Sequence, residues 1–561
     1  MIKKEIIQAY ALDNAIAHNG KANPGAVINS LFVEGLKKEE IKDVSREVQK
    51  IIEEVNSWTT EKRAEEFEKL KKYVKKRKQR EGLPELPNVQ AKVILRIAPY
   101  PSGPLHIGNA RQLILNDEYA KIYNGNLIFV IDDTIGSEKK PIEPSAYKLI
   151  EEGSDWLKIK HENKIVLKSD RLKIYYDYAE QLIKLGHLYV CSCSAEKIRE
   201  MREKGEECEC RNLPIDEQLK RWKKMFESKA GEFTVRLKTS MSHENPAFRD
   251  RVMFRISERE HPKVKHKYKV WPLLEFSWAI DDHLLEITHI IRGMDLLMET
   301  KVEEFIWELF SWEKPKVIHT GLLAIEGVKI SKSKGAQEVR SGKYIGWNDP
   351  RTWSLQSLKD RGFFPEAIRE FFISIGMTKK NSKIPIDVLY AINRKYLEKA
   401  PRYFFVPNPS KIKISGCPEL EAKIPLHPNE KLGERKYRTS QEFCIPEEDL
   451  ENMEDGNYRL MHLLNFKTDH QVVTKPRDFH FISSDPDDSL GVKFIQWLPV
   501  NEDNINVSIR MPDGSITAGL GEPELLKLKT GTQIQFERFG FVKLYKLDKK
   551  NNQAEFWFTH I

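Results

Sequence analysis

Pro101-Ser102-Gly103-Pro104-Leu105-His106-Ile107-Gly108-Asn109 is the stretch that decides the fold. A short apolar run, Val93-Ile94-Leu95, comes before it, followed by a Pro/Ser/Gly-rich loop from Ala98 to Pro104. After it comes a helical pattern (Leu105, Leu113, Ile114, Tyr119, Ile122) and a second apolar run from Leu127 to Ile131. Strand, glycine-bearing loop, helix, strand is how a parallel α/β domain opens. Gly108 lets a ligand approach the backbone closely, and the N–H groups of a helix start suit phosphate. His106 and Asn109 lie three apart, so both can face one ligand on the first turn.

Outward from this stretch, a second α/β segment lies near Leu284 to Ile330, and a cysteine-bearing segment separates the two. The expected architecture is a nucleotide-binding fold split by an insertion. Residues 1 to about 81 read as helical. Ile41, Val44, Val48, Ile51, Ile52 and Val55 have helical spacing, and Thr59 or Thr60 is the N-cap of a further helix. That helix ends in a basic run, Lys71, Lys72, Lys75, Lys76, Arg77, Lys78 and Arg80, which fits a solvated face. Gly82 to Pro87 reads as a linker. Residues 341 to about 404 return to helical patterning through Ala367, Ile368, Phe371, Phe372 and Ile375. From Pro407 onward strands dominate: Ile505, Val507 and Ile509 alternate with polar residues, as do Ile534 and Phe536, then Phe556 and Phe558. Asp513-Gly514 is a turn signal, and the region suggests one or two β-barrels.

A chain of 561 residues is too long for one core and suggests several domains. With 40% hydrophobic and 31% charged residues it has the composition of a soluble globular protein. No apolar run approaches the ~20 residues of a membrane span, so no membrane partner is expected. The first residues carry no secretory signal, so a cytoplasmic location is expected. The net charge of +8 permits a polyanionic partner without requiring one.

Four of the six cysteines form two close pairs, Cys191-Ser192-Cys193 and Cys208-Glu209-Cys210, with fourteen residues between them. Two such pairs can close a tetrahedral thiolate site of the kind structural zinc prefers, so Cys191, Cys193, Cys208 and Cys210 are candidate Zn²⁺ ligands. Cys417 and Cys444 have no partners at metal spacing and read as small hydrophobes. Lys329-Ile330-Ser331-Lys332-Ser333-Lys334-Gly335 forms a cationic loop suited to polyphosphate, where its charges can neutralise a leaving pyrophosphate.

The two motifs, one in each half of a split α/β fold, resemble the paired ATP signatures of class I aminoacyl-tRNA synthetases. More narrowly, the chain resembles the archaeal-type glutamyl-tRNA synthetases of the glutamyl/glutaminyl branch, almost from end to end. Gly20 to Val27, Leu95 to Pro99, Asp281-Asp282-His283, Gly346 to Arg351, Ala391 to Arg394 and Gln535 to Phe541 carry that resemblance. It implies ATP with Mg²⁺ and glutamate as substrates, tRNA-Glu as partner with tRNA-Gln as a further candidate acceptor, and a chain working as a monomer. It implies that His106, Gly108, Asn109, Lys329, Ser331 and Lys332 bind ATP, with His106, Asn109, Lys329 and Lys332 serving catalysis. Arg96, Asp132 and Arg292 fall where the family contacts the amino acid; the alternatives are a cap on the loop after its strand for Asp132 and structural ion pairs for Arg96 and Arg292. These charges also make independent sense, since glutamate offers two carboxylates and one ammonium.

The resemblance further implies a Rossmann-type catalytic fold split by a zinc-bearing insertion. Its expected parts are an N-terminal helical region (1–88), two catalytic halves (89–187 and 256–340), an acceptor-end insertion (188–255), a helical stem-contact region (341–405) and β-barrels binding the anticodon (406–561). Arg211, Arg221, Lys223, Lys224, Arg236, Lys238, Arg249 and Arg251 in or near the insertion are candidates for phosphate. Arg435, Lys436, Tyr437 and Arg438 suit base stacking with phosphate contact, and equally a solvated edge strand. The barrels read as a module separable from the ATP site. Three positions depart from the family pattern: Asn109 where close relatives carry His, Leu274 where many carry a substrate-contacting Tyr, and Ile135-Gly136 where a polar pair is usual. The expected activity is glutamate–tRNA ligation. The alternatives are glutaminyl-tRNA ligation, against which Ile291-Arg292-Gly293 speaks, and a catalytically impaired tRNA-binding paralogue.

Overall fold

The computed structural model describes all residues except 1–2, 19, 37–39, 75–81, 136–139, 163, 329–331, 470–477 and 502. The chain divides into two units, 1–81 and 82–561. The first contains α1 (Lys4–Ala17), α2 (Pro24–Leu31), α3 (Ile41–Ser57) and α4 (Thr60–Leu70). Pro24 occupies the first turn of α2 and the Asn23 side chain accepts from the Ala26 N–H, a start set by local chemistry. Thr59 caps α4 by accepting from the Lys62 N–H. The apolar stripe of α3 (Val44, Val48, Ile51, Ile52, Val55) is buried in a core with Ile7, Leu12 and Val27. Lys71 and Lys72 of the basic run are exposed, and its remainder from Lys75 lies outside the described residues.

The second unit opens with β1 (Ile94–Ile97), α5 (Ile107–Ile122), β2 (Asn126–Ile131), α6 (Ala146–Trp156), β3 (Val166–Leu167) and α7 (Leu172–Lys184). β1 pairs in parallel with β2 (Leu95 opposite Leu127), and β2 with β3 (Val130 opposite Val166). The antiparallel sheet of β4 (Leu188–Cys191), β5 (Thr234–Leu237), β6 (Val252–Ile256) and β7 (Val270–Pro272) follows, with α8 (Ala195–Lys204) and α9 (Ile215–Met225) between β4 and β5. Because β7 pairs with β6, this sheet extends to Pro272, beyond the boundary at 255 read from the sequence.

The parallel fold then resumes with α10 (Leu274–Leu284), β8 (His289–Gly293), α11 (Leu297–Leu309) and β9 (Lys316–Thr320), β8 and β9 being parallel. The Thr288 N–H donates to the Ile94 carbonyl at 2.9 Å, so β8 lies beside β1. The spatial order is β3-β2-β1-β8-β9, and the direction of winding reverses between β1 and β8. In such sheets the crevice beyond the carboxyl ends of the strands at the reversal is the binding site.

β10 (Leu323–Glu326), α12 (Lys332–Arg340), α13 (Leu355–Arg361), α14 (Pro365–Ile375), β11 (Ser382–Pro385) and α15 (Ile386–Leu397) complete this region. Among the described residues, the remainder forms two seven-stranded sheets and a two-stranded ribbon of Leu420–Pro425 with Glu434–Thr439. One large sheet uses strands between 409 and 499, the other the short strands at 402–407 with those between 505 and 560. Fully buried Arg361 ties α13 to the last strand by donating to the Phe558 and Thr559 carbonyls at 3.2 and 3.0 Å. The junction between helices and sheets is therefore a packed interface rather than a bare linker.

The ribbon corrects one reading. Its alternation turns Lys436 and Arg438 to solvent, while Arg435 and Tyr437 face inward. Arg435 is fully buried and donates to Glu522 at 2.6 Å and Glu537 at 3.0 Å. Neither Arg435 nor Tyr437 is available to an RNA base. Among the described residues, no helix is long and apolar enough to cross a membrane.

Candidate functional site

The quoted stretch forms the turn from β1 into α5. His106 is extended (φ −121°, ψ 172°) and stands at the N-cap of α5. Asn109 reaches back, its Oδ1 accepting the His106 N–H at 3.2 Å. The asparagine that departs from the family pattern thus orders the helix start with its carbonyl oxygen. Gly103 has φ +147°, and a side chain there would meet the Trp347 ring at 3.1 Å. The loop therefore needs glycine where it passes beneath the Gly346–Arg351 motif.

A cavity of ≈ 350 Å³ opens at the carboxyl ends of β1 and β8. Arg96, Gly108, Asn109, Trp278 and Arg292 line it, so four of the sequence candidates share it. His106 lines a second cavity of ≈ 950 Å³ with Lys334, Tyr344, Trp347 and Arg351. Asp132 lines neither. Lys329, Ile330 and Ser331 lie outside the described residues, as does the Lys332 side chain, whose backbone opens α12.

Around the smaller cavity, buried charges are paired. Arg96 donates from Nε and Nη2 to Asp282 at 2.6 and 2.9 Å and stacks 4.4 Å from the Trp278 ring centre. Arg292 donates from Nη1 and Nη2 to Glu303 at 3.0 and 2.6 Å, and from Nη2 to the Thr300 hydroxyl at 2.6 Å. Its guanidinium lies 5.5 Å from the same ring. Burial pushes the Glu303 carboxyl up to about 7, with Arg292 pulling against it. Asp132 accepts from the Thr134 hydroxyl at 3.0 Å and pairs with fully buried Lys168 at 3.4 Å. Lys168 also donates to the Ser277 hydroxyl at 2.8 Å and lies 5.1 Å from the Trp278 ring. Burial lowers the Lys168 pKa, and Asp132 opposes the shift.

Three cations, each paired with a carboxylate, thus gather about one indole. The sequence reading missed Lys168, Trp278, Thr300 and Glu303. Thr300 and Glu303, three apart on α11, show a spacing that could have suggested a shared partner. Nothing local marks Lys168 or Trp278: the Ser277 hydroxyl that Lys168 reaches is 109 residues away in sequence.

A separate site lies in the antiparallel sheet. The sulfurs of Cys191, Cys193, Cys208 and Cys210 all lie within 4.8 Å of one another. Tetrahedral zinc, with Zn–S near 2.3 Å, sets sulfurs about 3.8 Å apart, and Cys191 and Cys208 are 3.8 Å apart. The donor set and its spacing fit such an ion. Arg236 approaches Cys208 at 3.6 Å and Cys191 at 3.9 Å, and Arg221 approaches Cys210 at 3.5 Å, placing cations beside the thiolates. Arg236, read from sequence as a phosphate contact, is instead buried against the cysteines. Arg211 pairs with Asp250 at 2.9 Å, Arg251 with Glu299 at 2.9 Å, and Arg249 spends its donors on backbone carbonyls. Lys223 and Lys224 on α9 are exposed.

The family model for the class I tRNA synthetase (E and Q) catalytic domain matches residues 92–399. The models for the anti-codon binding domain of the same family match 400–480 and 494–545. The Glutamate–tRNA ligase of Methanocaldococcus jannaschii is 41% identical over 98% of this chain and 98% of its own. That of Pyrococcus abyssi is 41% identical over 97% and 98%, and that of Methanothermobacter thermautotrophicus 38% over 99% of each.

Proposed function

The chain belongs to the class I tRNA synthetases for glutamate and glutamine, and from that premise we infer that it uses ATP to join glutamate to tRNA. The observation that carries the reading is likeness along the whole length to ligases named for glutamate. The cavity at the sheet reversal, lined by Arg96 and Arg292, supports it. The first step joins the glutamate α-carboxylate to the ATP α-phosphate and releases pyrophosphate. In the second, a terminal ribose hydroxyl of tRNA attacks the activated carbonyl and AMP leaves.

The residues' work is positioning and electrostatics. Arg96 and Arg292 supply positive charge for the substrate carboxylates, and Asp132 the negative charge for its ammonium, with Lys168 as its counter-ion before the amino acid binds. His106, Gly108 and Asn109 hold the triphosphate at the start of α5. Lys329, Ser331 and Lys332 hold its far end as charge develops on the leaving pyrophosphate, and Mg²⁺ adds a Lewis acid when bound. Cys191, Cys193, Cys208 and Cys210 would hold zinc, which would cross-link the strand and turn of the acceptor-end insertion. The C-terminal sheets bind the anticodon arm.

The stoichiometry tests this reading. Glutamate, ATP and tRNA-Glu should yield aminoacyl-tRNA, AMP and pyrophosphate in equal amounts. ADP and inorganic phosphate as the products would refute it.

A further inference from the structure

Among the described residues, three buried donors at the amino-acid cavity (Arg111 Nε, Trp278 Nε1 and Arg292 Nε) and two buried acceptors (Gln112 Oε1 and Asn116 Oδ1) have no partner. The indole Nε1 of Trp278 and the Nε of Arg292 are both buried, and neither makes a hydrogen bond there. Both residues line the cavity at the sheet reversal, with 6% and 4% of their surface exposed. Buried N–H groups are almost always paired, and the Arg292 guanidinium lies 5.5 Å from the Trp278 ring, so these two neighbouring donors point to one shared acceptor-bearing ligand. The remaining polar groups of the two residues do not compete. Arg292 uses both Nη atoms on Glu303 and Thr300, and an indole has one N–H and no acceptor.

We propose that Trp278 is a specificity-determining residue, its indole N–H donating, together with the Arg292 Nε–H, to the side-chain carboxylate of glutamate. The inference rests on the amino-acid site proposed above. It also accounts for Leu274, since the N–H of Trp278, four residues on along α10, supplies a polar contact that leucine cannot. The chemistry of the pair discriminates. A carboxylate has two acceptor oxygens and satisfies both donors. A carboxamide offers both donors a single oxygen, carries no charge to complement Arg292, and in its other orientation turns an NH₂ toward a donor. Leaving a buried donor unpaired is the kind of penalty by which polar sites reject near-isosteric substrates.

Trp278→Phe keeps an aromatic face for Arg96 and removes the N–H donor together with part of the fused ring. Aminoacylation of tRNA-Glu by the full-length protein is measured at saturating ATP and tRNA, with glutamate and with glutamine. The expected result is a fall of ~10- to 100-fold in the glutamate-to-glutamine ratio of kcat/KM, from the loss of one hydrogen bond to a charged group. The change should fall on KM for glutamate, with KM for ATP close to that of the parent and a fall in thermal midpoint smaller than that of Trp278→Leu. Trp278→Leu, which also removes the ring, should lower the thermal midpoint and so mark the structural share. An unchanged ratio in Trp278→Phe overturns the proposal. Arg292→Leu, measured in parallel, separates the two levels. If it reduces glutamate use while Trp278→Phe does not, the indole inference alone fails; if neither does, the amino-acid site itself is misread.

Discussion

Arg292 on β8 holds Glu303 on α11 with both Nη atoms of its guanidinium, at 3.0 and 2.6 Å, and both side chains are buried. The pair separates two roles that single substitutions confuse. Arg292→Leu removes the proposed substrate contact but also strands a buried carboxylate, and losing one partner of a buried pair costs about 3–5 kcal/mol. Replacing both partners with leucine removes the stranded charge. The expected outcome is that the double variant recovers most of the stability lost by Arg292→Leu in chemical denaturation, while glutamate charging stays low. Charging restored along with stability would reduce Arg292 to a structural residue.

His560 gives the C-terminal interface a pH dependence. It stacks on Tyr390 with ring centres 5.0 Å apart, accepts from the Asn393 amide at 3.0 Å and donates from Nδ1 to the Ile561 carbonyl. Burial pushes its pKa down from 6.5 to about 4. The unfolded chain then binds the proton more readily, so this stability is fully present above pH 6.5 and is lost as pH falls toward 4. The full shift corresponds to about 3 kcal/mol. Unfolding free energies measured between pH 7.5 and 4.5 should fall, and His560→Phe should flatten that slope. A slope identical in His560→Phe and the parent would assign the acid sensitivity elsewhere.

The four cysteines should hold about one zinc per chain, because four thiolates fill a tetrahedral site. Chelation, or Cys208→Ala, should loosen the antiparallel sheet and raise KM for tRNA more than KM for ATP. Metal analysis giving well under half an equivalent from fully reduced protein would contradict the assignment.

Lys332→Ala should lower single-turnover adenylate formation by roughly two to four powers of ten, as loss of a charge stabiliser in the transition state does. Glutamate affinity should change little. An unchanged rate would remove the lysine from the chemistry.

Much of this architecture is local and therefore legible. The β1–α5–β2 opening, the helical stripe Val44 to Val55, the Thr59 cap and the alternation at Ile505 to Ile509 follow from spacing alone. The cysteine pairs were equally plain, since ligand spacing is written along the chain. The carboxylates that hold Arg96 and Arg292 were not, because pairings such as Arg96 with Asp282 span 186 residues and exist only after folding. Arg435 and Tyr437 misled for a related reason. A run of charged and aromatic residues looks RNA-binding, but a strand turns every second one inward, and Glu522 on a distant turn makes the buried arginine tolerable. The C-terminal sheets looked separable because no sequence signal records that Arg361 ends on the carbonyls of Phe558 and Thr559.

The most direct test of the central claim is parallel aminoacylation of purified tRNA-Glu and tRNA-Gln with glutamate and with glutamine, read as kcat/KM for each of the four combinations. The account requires glutamate on tRNA-Glu to exceed both glutamine combinations by orders of magnitude, with glutamate on tRNA-Gln reporting how widely the anticodon is read. Charging of glutamine in preference to glutamate would contradict it, and with it the roles given to Arg292 and Trp278.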